Sequence, residues 1–409
     1  MVNIKIQKGY DIPLSGFPVG ELQQWKTNGR VALDLSSFDF IQIELLKRVG
    51  DEVKIGEALA VDKKLPGRHF VSPASGTLIE IQRGEKRRPL FMVIEEKGEL
   101  YVEHKETDIL ERWMAGGGFT HIRSRPGLRL AHPSKLPRSI FVKALETAPF
   151  APPSVMQVQG REEWFQAGIT ALSKYAPVHL IARPGTFQSI QGAHYHTIEG
   201  AHPSGNPSVH ISMIDPIRSM NDEIWTLGVQ DVIVLGRLAK EGMYERNRVV
   251  SFAGEGMKER GYYQVPAGFD LGKVPYEGRL VSGDPLMGKE LPFLNFFHTG
   301  VTAIPSPPLE REWFHFVGFR YPRVTTHQHG EERPFVDGAI YDRVMPLKIS
   351  TMHLIKALMN QDFEKAMELG LLEVASEDFA LPTFLCPSKI EMTSVVHEKL
   401  REFSLQYLS

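Results

Sequence analysis

The stretch from Val49 to Gly84 limits the fold more than any other part of the chain. It reads Val49-Gly50-Asp51-Glu52-Val53-Lys54-Ile55-Gly56-Glu57-Ala58-Leu59-Ala60-Val61-Asp62-Lys63-Lys64, runs through Pro66-Gly67 and Ser72-Pro73-Ala74-Ser75-Gly76-Thr77-Leu78, and ends at Arg83-Gly84. Apolar residues recur in short runs, at Val49, Val53, Leu59, Val61, Phe70, Val71, Leu78, Ile79 and Ile81. Glycine and proline punctuate them, which is the pattern of short strands joined by tight turns. Gly50-Asp51 and Gly56-Glu57 supply backbone for turns that need positive φ, and Pro73 and Gly76 bracket a further reversal.

The order Gly-Asp-x-Val-x-x-Gly-x-x-Leu, then a lysine turn, then Ser-Pro-x-x-Gly, resembles the biotinyl/lipoyl carrier domain. In carriers a lysine on the exposed hairpin is modified, and Lys63 and Lys64 fall near that place. The competing reading is a barrel that serves only as scaffold. Pro66, directly after the lysines, cannot donate to a strand ladder, and this favours the scaffold.

A chain of 409 residues predicts roughly two to four domains with ample length for large cores. The formal charge of -2 gives no bulk attraction to nucleic acid or anionic lipid, so no nucleic-acid partner is expected. The single cysteine, Cys386, excludes an internal disulfide and any zinc or iron–sulfur site ligated by several cysteines of this chain. The N-terminus lacks the apolar core of a signal peptide, and no run approaches the ~20 apolar residues of a membrane span. Membrane association is therefore expected only through a partner or a surface.

Along the chain, residues 1–27 read as an extended entry, and the barrel fills 28–105, closing near Phe91–Ile94 and Tyr101–Val102. Asp108–Ala115 reads as a short helix stopped by Gly116-Gly117-Gly118-Phe119, a mobile loop able to bring backbone N–H groups to a phosphate. Apolar strands Ser139–Leu145, Val178–Ile181 and Val249–Ala253 alternate with a helix over Glu162–Ser173. The apolar run Asp231–Gly236 leads into helix-like Arg237–Lys240. This alternation predicts a parallel α/β layer over 106–255. No strand leads into Gly-x-Gly-x-x-Gly, so a dinucleotide fingerprint is missing. Residues 256–330 turn strand-rich, with strong alternation over Trp313–Phe319, and 331–409 turn helical.

Several clusters are candidates for chemistry. Arg123 and Arg125 suit an anion or a partner carboxylate, or form a solvated basic turn. His194, His196, His202 and His210 are the densest histidine group. His194 and His196 at period two share one strand face, so metal ligation competes with scattered surface histidines. Gly200–Asn206 reads as a rigid loop. Cys386 precedes a helix whose N-terminus would lower its pKa, although a structural thiol is the simpler reading. No nucleophile elbow, P-loop or His-Glu-x-x-His occurs.

The order of several stretches resembles the A subunit of the sodium-translocating NADH:quinone reductase over nearly the whole chain. They are Asp62-Lys63-Lys64, Ser72–Gly76, Arg83–Arg87, Arg138–Val142, Gly205-Asn206 ahead of Ile214-Asp215-Pro216, Trp225–Gly228 with Gln230–Ile233, Arg343–Leu347, and Cys386-Pro387 with Lys389. The family resembles the Rnf complex C subunit and the NADH- and flavin-binding subunit of complex I. The resemblance implies a multi-domain α/β protein. It would have a barrel-sandwich (biotinyl/lipoyl-like) domain, a Rossmann-like α/β domain, a small β-grasp (SLBB-like) module and a C-terminal helical domain.

It implies a peripheral protein on the cytoplasmic face of a bacterial inner membrane, docked to other subunits of the complex and especially to its membrane-embedded B subunit. The complex oxidises NADH, reduces ubiquinone and exports sodium. FAD, FMN, riboflavin and iron–sulfur are expected on partner subunits, with none tightly bound here and no catalytic or metal-ligating residues on this chain. Ubiquinone is the one ligand implied, and Phe38, Phe40, Arg123 and Arg125 are the quinone-proximal or partner-facing candidates. The family's Gly-Met-Arg/Lys-Pro is replaced here by Phe40-Ile41-Gln42-Ile43. The alternatives are a flavin- and NADH-binding Rnf- or complex-I-like subunit, a lipoyl or biotinyl carrier, and a pure assembly scaffold.

Overall fold

The computed structural model describes residues 2–26, 29–305, 338–388 and 390–408. The alternating stretch Trp313–Phe319 and Lys389 lie outside the described residues, as does the latter part of the expected β-grasp-like module.

The first unit is built from two antiparallel sheets. One has the order Arg30–Asp34, Pro89–Glu96, Gly76–Arg83, Glu52–Val53, and the other the order Ile43–Leu45, Ala58–Asp62, Leu65–Val71. Alternate residues of both sheets turn inward and meet as one core, in which Val31, Phe38, Leu59, Phe70, Leu78, Met92 and Ile94 are buried. Each fully buried aliphatic or aromatic side chain there contributes about 1.5–3 kcal/mol. Lys63 and Lys64 form the exposed turn between Ala58–Asp62 and Leu65–Val71. Pro66 is accommodated because the ladder shifts register between Val61 and Asp62.

The second unit is a seven-stranded sheet ordered Asn3–Lys5, His194–Glu199, Val178–Ala182, Ser139–Ala144, Ile224–Gly228, Arg123–Arg125, Arg129–Leu130. The first five strands are parallel, and Arg123–Arg125 pairs antiparallel with both Ile224–Gly228 and Arg129–Leu130. Helices Glu162–Leu172 and Val229–Glu241 cover the face made by Ile140, Val142, Leu180 and Trp225. Helix Pro207–Ile214 covers the face made by Phe141, Ile181 and Ile224. Strands buried on both faces explain the continuous apolar runs in the sequence.

A third unit has a five-stranded sheet ordered Arg279–Ser282, Gly300–Ile304, Asn247–Ala253, Gly261–Pro266, Leu22–Gln24, with Val250, Phe252, Val265 and Leu294 in its core. Helices Thr351–Met359, Phe363–Glu368, Ala380–Leu385 and Met392–Tyr407 pack around Leu354, Leu358, Phe379, Val396 and Phe403.

Four expectations change. Val249–Ala253, expected in the parallel α/β layer, belongs to strand Asn247–Ala253 of the third unit's sheet, where it pairs antiparallel with Gly261–Pro266. The first residues are more than an entry: Asn3–Lys5 extends the α/β sheet and Leu22–Gln24 extends the third unit's sheet. The run Asp231–Gly236 is helical, lying inside Val229–Glu241; it is apolar on every side because both of its faces are buried. The glycine loop is packed rather than mobile. A Cβ on Gly117 would sit 2.7 Å from Val71 Cγ2, and one on Gly118 would sit 2.8 Å from Leu235 Cδ2. Cys386 closes helix Ala380–Leu385 at its C-terminal end and is buried, with Sγ 3.2 Å from the Tyr341 hydroxyl and accepting the Ile390 N–H at 3.5 Å, as the simpler reading of a structural thiol expects.

Candidate functional site

The chain runs from Ser139–Ala144 outward on one side through Val178–Ala182 and His194–Glu199, then returns to the other side with Ile224–Gly228. Open α/β sheets hold ligands beyond the carboxyl ends of their strands where the strand order reverses in this way. Beyond Ala144 lies a cleft of about 260 Å³. All four units line it: Phe40 from the barrel, Arg123, Lys143, Thr147 and His202 from the α/β unit, Ser251, Asp284 and His298 from the third, and Glu377 and His397 from the C-terminal helices.

The units are tied around this cleft by polar bonds. His397 Nε2 lies 3.0 Å from Asp39 Oδ2, joining the last helix to the barrel. Asn206 Nδ2 donates to Asp378 Oδ1 at 2.9 Å, joining the α/β unit to the helices. The Phe296 N–H donates to Asp34 Oδ2 at 2.9 Å, joining the third unit to the barrel.

One wall of the cleft is aromatic. The Arg123 guanidinium lies 4.0 Å from the ring centroid of Phe297, and both line the cleft with Phe40. This is a cation–π arrangement. Phe38 is fully buried behind it, edge-on to Phe297 and Phe70, so it supports the wall without lining it. Arg125 turns the other way into the protein, where its guanidinium donates to the Val374 carbonyl at 3.1 Å and to Ser208 Oγ. Of the four candidates, Phe40 and Arg123 meet at the cleft, Phe38 lies behind it, and Arg125 ties the units together.

The rest of the lining is largely polar. Lys143 Nζ donates to Glu146 at 2.8 Å. Burial pulls its ammonium down, but Glu146 and Glu377 more than offset this, and its pKa stands above the ordinary lysine value. Burial lowers His298 to about 3, assisted by Lys289 and Arg123, and its Nδ1 lies 3.0 Å from Ser282 Oγ. Burial and then Lys143 lower His202 to about 4, against the pull of Glu377 and Asp11. Both imidazoles are therefore neutral near pH 7. Burial raises the Asp284 carboxyl, although the N–H groups of Leu286 and Met287 donate to it.

The histidine group does not converge. His194 and His196 share a strand, and it is His179 on the neighbouring strand that meets them, with Nδ1 3.0 Å from His196 Nε2. His210 lies in helix Pro207–Ile214, bonded to the Ser204 carbonyl, and only His202 reaches the cleft. Among the described residues no three histidine, cysteine or carboxylate side chains are arranged to hold a metal ion. Among them, too, no helix is long and apolar enough to cross a membrane. Lys143, Thr147, Ser251 and His298 escape a reading of the sequence because only the packing of separate units brings them together. The one visible signal is His202 within Gly200–Asn206.

Comparison with known proteins addresses the whole chain. Residues 4–97 match the family model described as the NqrA N-terminal barrel-sandwich hybrid domain, and residues 104–244 match the NqrA second alpha/beta domain. The A subunit of the Na(+)-translocating NADH-quinone reductase of Chlamydia caviae is 34% identical, covering 98% of this chain and 97% of its own length. The protein of the same name from Yersinia pestis is 32% identical, covering 98% and 99%. That of Cellvibrio japonicus is 31% identical, covering 97% and 98%. With identity above 30% sustained over nearly both full lengths, the chain belongs to the family of A subunits of the Na(+)-translocating NADH-quinone reductases.

Proposed function

We propose that this chain, as the A subunit of a Na(+)-translocating NADH-quinone reductase complex, receives the quinone head group in the four-unit cleft. It docks on the cytoplasmic face of the membrane through partner subunits, foremost the membrane-embedded B subunit. It keeps no tightly bound redox cofactor of its own. FAD, FMN, riboflavin and the iron–sulfur centre reside on partners, in keeping with a chain that has one cysteine.

The observation that carries the quinone reading is the wall formed by Phe40, Phe297 and the Arg123 guanidinium. The same cleft is lined by the neutral imidazoles of His202 and His298, at the carboxyl ends of the parallel strands. A quinone head needs an apolar slot and a few hydrogen-bond donors, and this cleft has both.

Calorimetry of a soluble ubiquinone analogue with the purified chain tests the reading. Saturable binding is expected, weakened about tenfold by Phe40→Ala or Arg123→Ala with folding intact. A folded chain that shows no saturable binding sinks it. An absorbance spectrum with stoichiometric flavin would favour a flavin- and NADH-binding subunit instead. An intact mass raised by a lipoyl or biotinyl group on Lys63 or Lys64 would favour a carrier.

A further inference from the structure

Thr147 Oγ1 accepts the backbone N–H of Gly205 at 3.0 Å and lies 3.2 Å from His202 Nδ1. A hydroxyl has one proton to give. The oxygen takes the Gly205 N–H on one lone pair, and Nδ1 is the one acceptor within reach of the hydroxyl proton among the described residues, so that proton goes to Nδ1, which therefore accepts. A neutral imidazole carries a single N–H, so the proton of His202 sits on Nε2. His202 is only 6% exposed, lines the cleft, and its Nε2 has no hydrogen-bond partner among the described residues. Ser251 lines the same cleft at 1% exposure, and its Oγ is likewise without a partner among them. A buried donor left unpaired is costly, so both positions call for an acceptor.

We propose that the cleft selects the oxidised form of the quinone through the fixed tautomer of His202, with Thr147 as the positioning residue that fixes it. The inference rests on the quinone reading above. A quinone offers carbonyl oxygens that only accept. A quinol oxygen accepts from the Nε2–H of His202 more weakly than a carbonyl does, and it brings an O–H proton that Nε2, already protonated, cannot accept. Glu377 lines the cleft too and accepts from a quinol, so the discrimination arises at the His202 end. Without the Thr147 hydroxyl, the two imidazole tautomers come closer in energy, and Nε2 can then accept from the quinol.

The test is anaerobic calorimetry of the full chain with a short-chain ubiquinone analogue and with its quinol, for the unaltered protein, Thr147→Val and Thr147→Ser. The unaltered chain is expected to bind the quinone about tenfold more tightly than the quinol, the worth of one hydrogen bond. Thr147→Val is expected to bring that ratio close to one, and Thr147→Ser, which keeps the hydroxyl, to restore it. Equal affinity for both forms in the unaltered chain overturns the inference and leaves the quinone reading standing. An unchanged ratio in a folded Thr147→Val does the same. Binding of neither form overturns both.

Discussion

Arg68 reaches Asp62 with a 2.8 Å hydrogen bond directly beneath the exposed Lys63–Lys64 turn, and the two charged side chains are only 5% and 4% exposed. Asp62 also accepts the Lys64 N–H at 2.9 Å, and Arg68 donates to the Ala131 carbonyl in the next unit. The ion pair thus shapes the hairpin and fastens it to the α/β unit. Arg68→Ala would strand a carboxylate in the interior. A loss of about 3–5 kcal/mol is expected in chemical denaturation, because removing one partner of a buried pair leaves the other uncompensated. A loss below about 1 kcal/mol would show that Asp62 finds water or another partner.

Helices Glu162–Leu172 and Val229–Glu241 cross at two glycines. A Cβ on Gly236 would lie 1.7 Å from the Trp164 carbonyl oxygen, and one on Gly168 would lie 2.3 Å from that of Val232. Backbone blocks both positions, so neither can yield by a rotamer change. Gly236→Ala gains helix propensity yet is expected to lose about 3 kcal/mol, overpacking outweighing the ~1 kcal/mol propensity gain. A raised melting temperature in Gly236→Ala would refute this crossing.

The two arginines of one short strand are expected to differ in kind. Arg125 is 6% exposed and bonded to Val374 and Ser208, with Asp378 nearby. Arg125→Ala should lower stability by about 2–4 kcal/mol and loosen the C-terminal helices, visible as faster hydrogen exchange in Met392–Tyr407. Arg123→Ala removes a cleft-lining cation and should leave stability within about 1 kcal/mol. Equal destabilisation by both would contradict the placement.

His210 has its Nε2 on the Ser204 carbonyl at 3.0 Å, and burial lowers its pKa to about 3 despite that bond. The unfolded state binds the proton at the ordinary value near 6.5 and the folded state does not. Stability therefore rises with pH from about 3 to about 6.5 and is level above. Between pH 7 and pH 5 the group accounts for a loss of about 2 kcal/mol. His210→Asn should flatten the pH dependence of the urea midpoint by about that amount. An unchanged slope would mean that His210 is already protonated in the folded chain at about pH 5.

What is legible in the sequence follows from how local its cause is. The barrel is readable at Val49–Gly84 because turn glycines and alternating strands are local features, and helix Ile109–Ala115 is readable from its Asp108 cap and the glycines behind it. Asp231–Gly236 misleads because burial on both faces erases the helical period. Phe40 and Arg123 can be singled out as candidates, but Arg125, two residues on from Arg123, has the same chemistry and the opposite environment. Only the packing of the C-terminal helices against that strand separates them. Thr147, Ser251 and His298 leave no local mark, since each acts only beside residues far away in the chain.

The segment from Asn3 to Asp34 threads three sheets in turn, pairing with His194–Glu199, then Gly261–Pro266, then Pro89–Glu96. Its first strand thus waits for partners synthesised about 190 residues later, and its second for partners about 240 residues later. A stretch that leaves the ribosome well before its partner strands is thus among the last to find its place. The barrel can close during synthesis, while the α/β sheet and the third sheet keep an open edge until this strap returns to seal them.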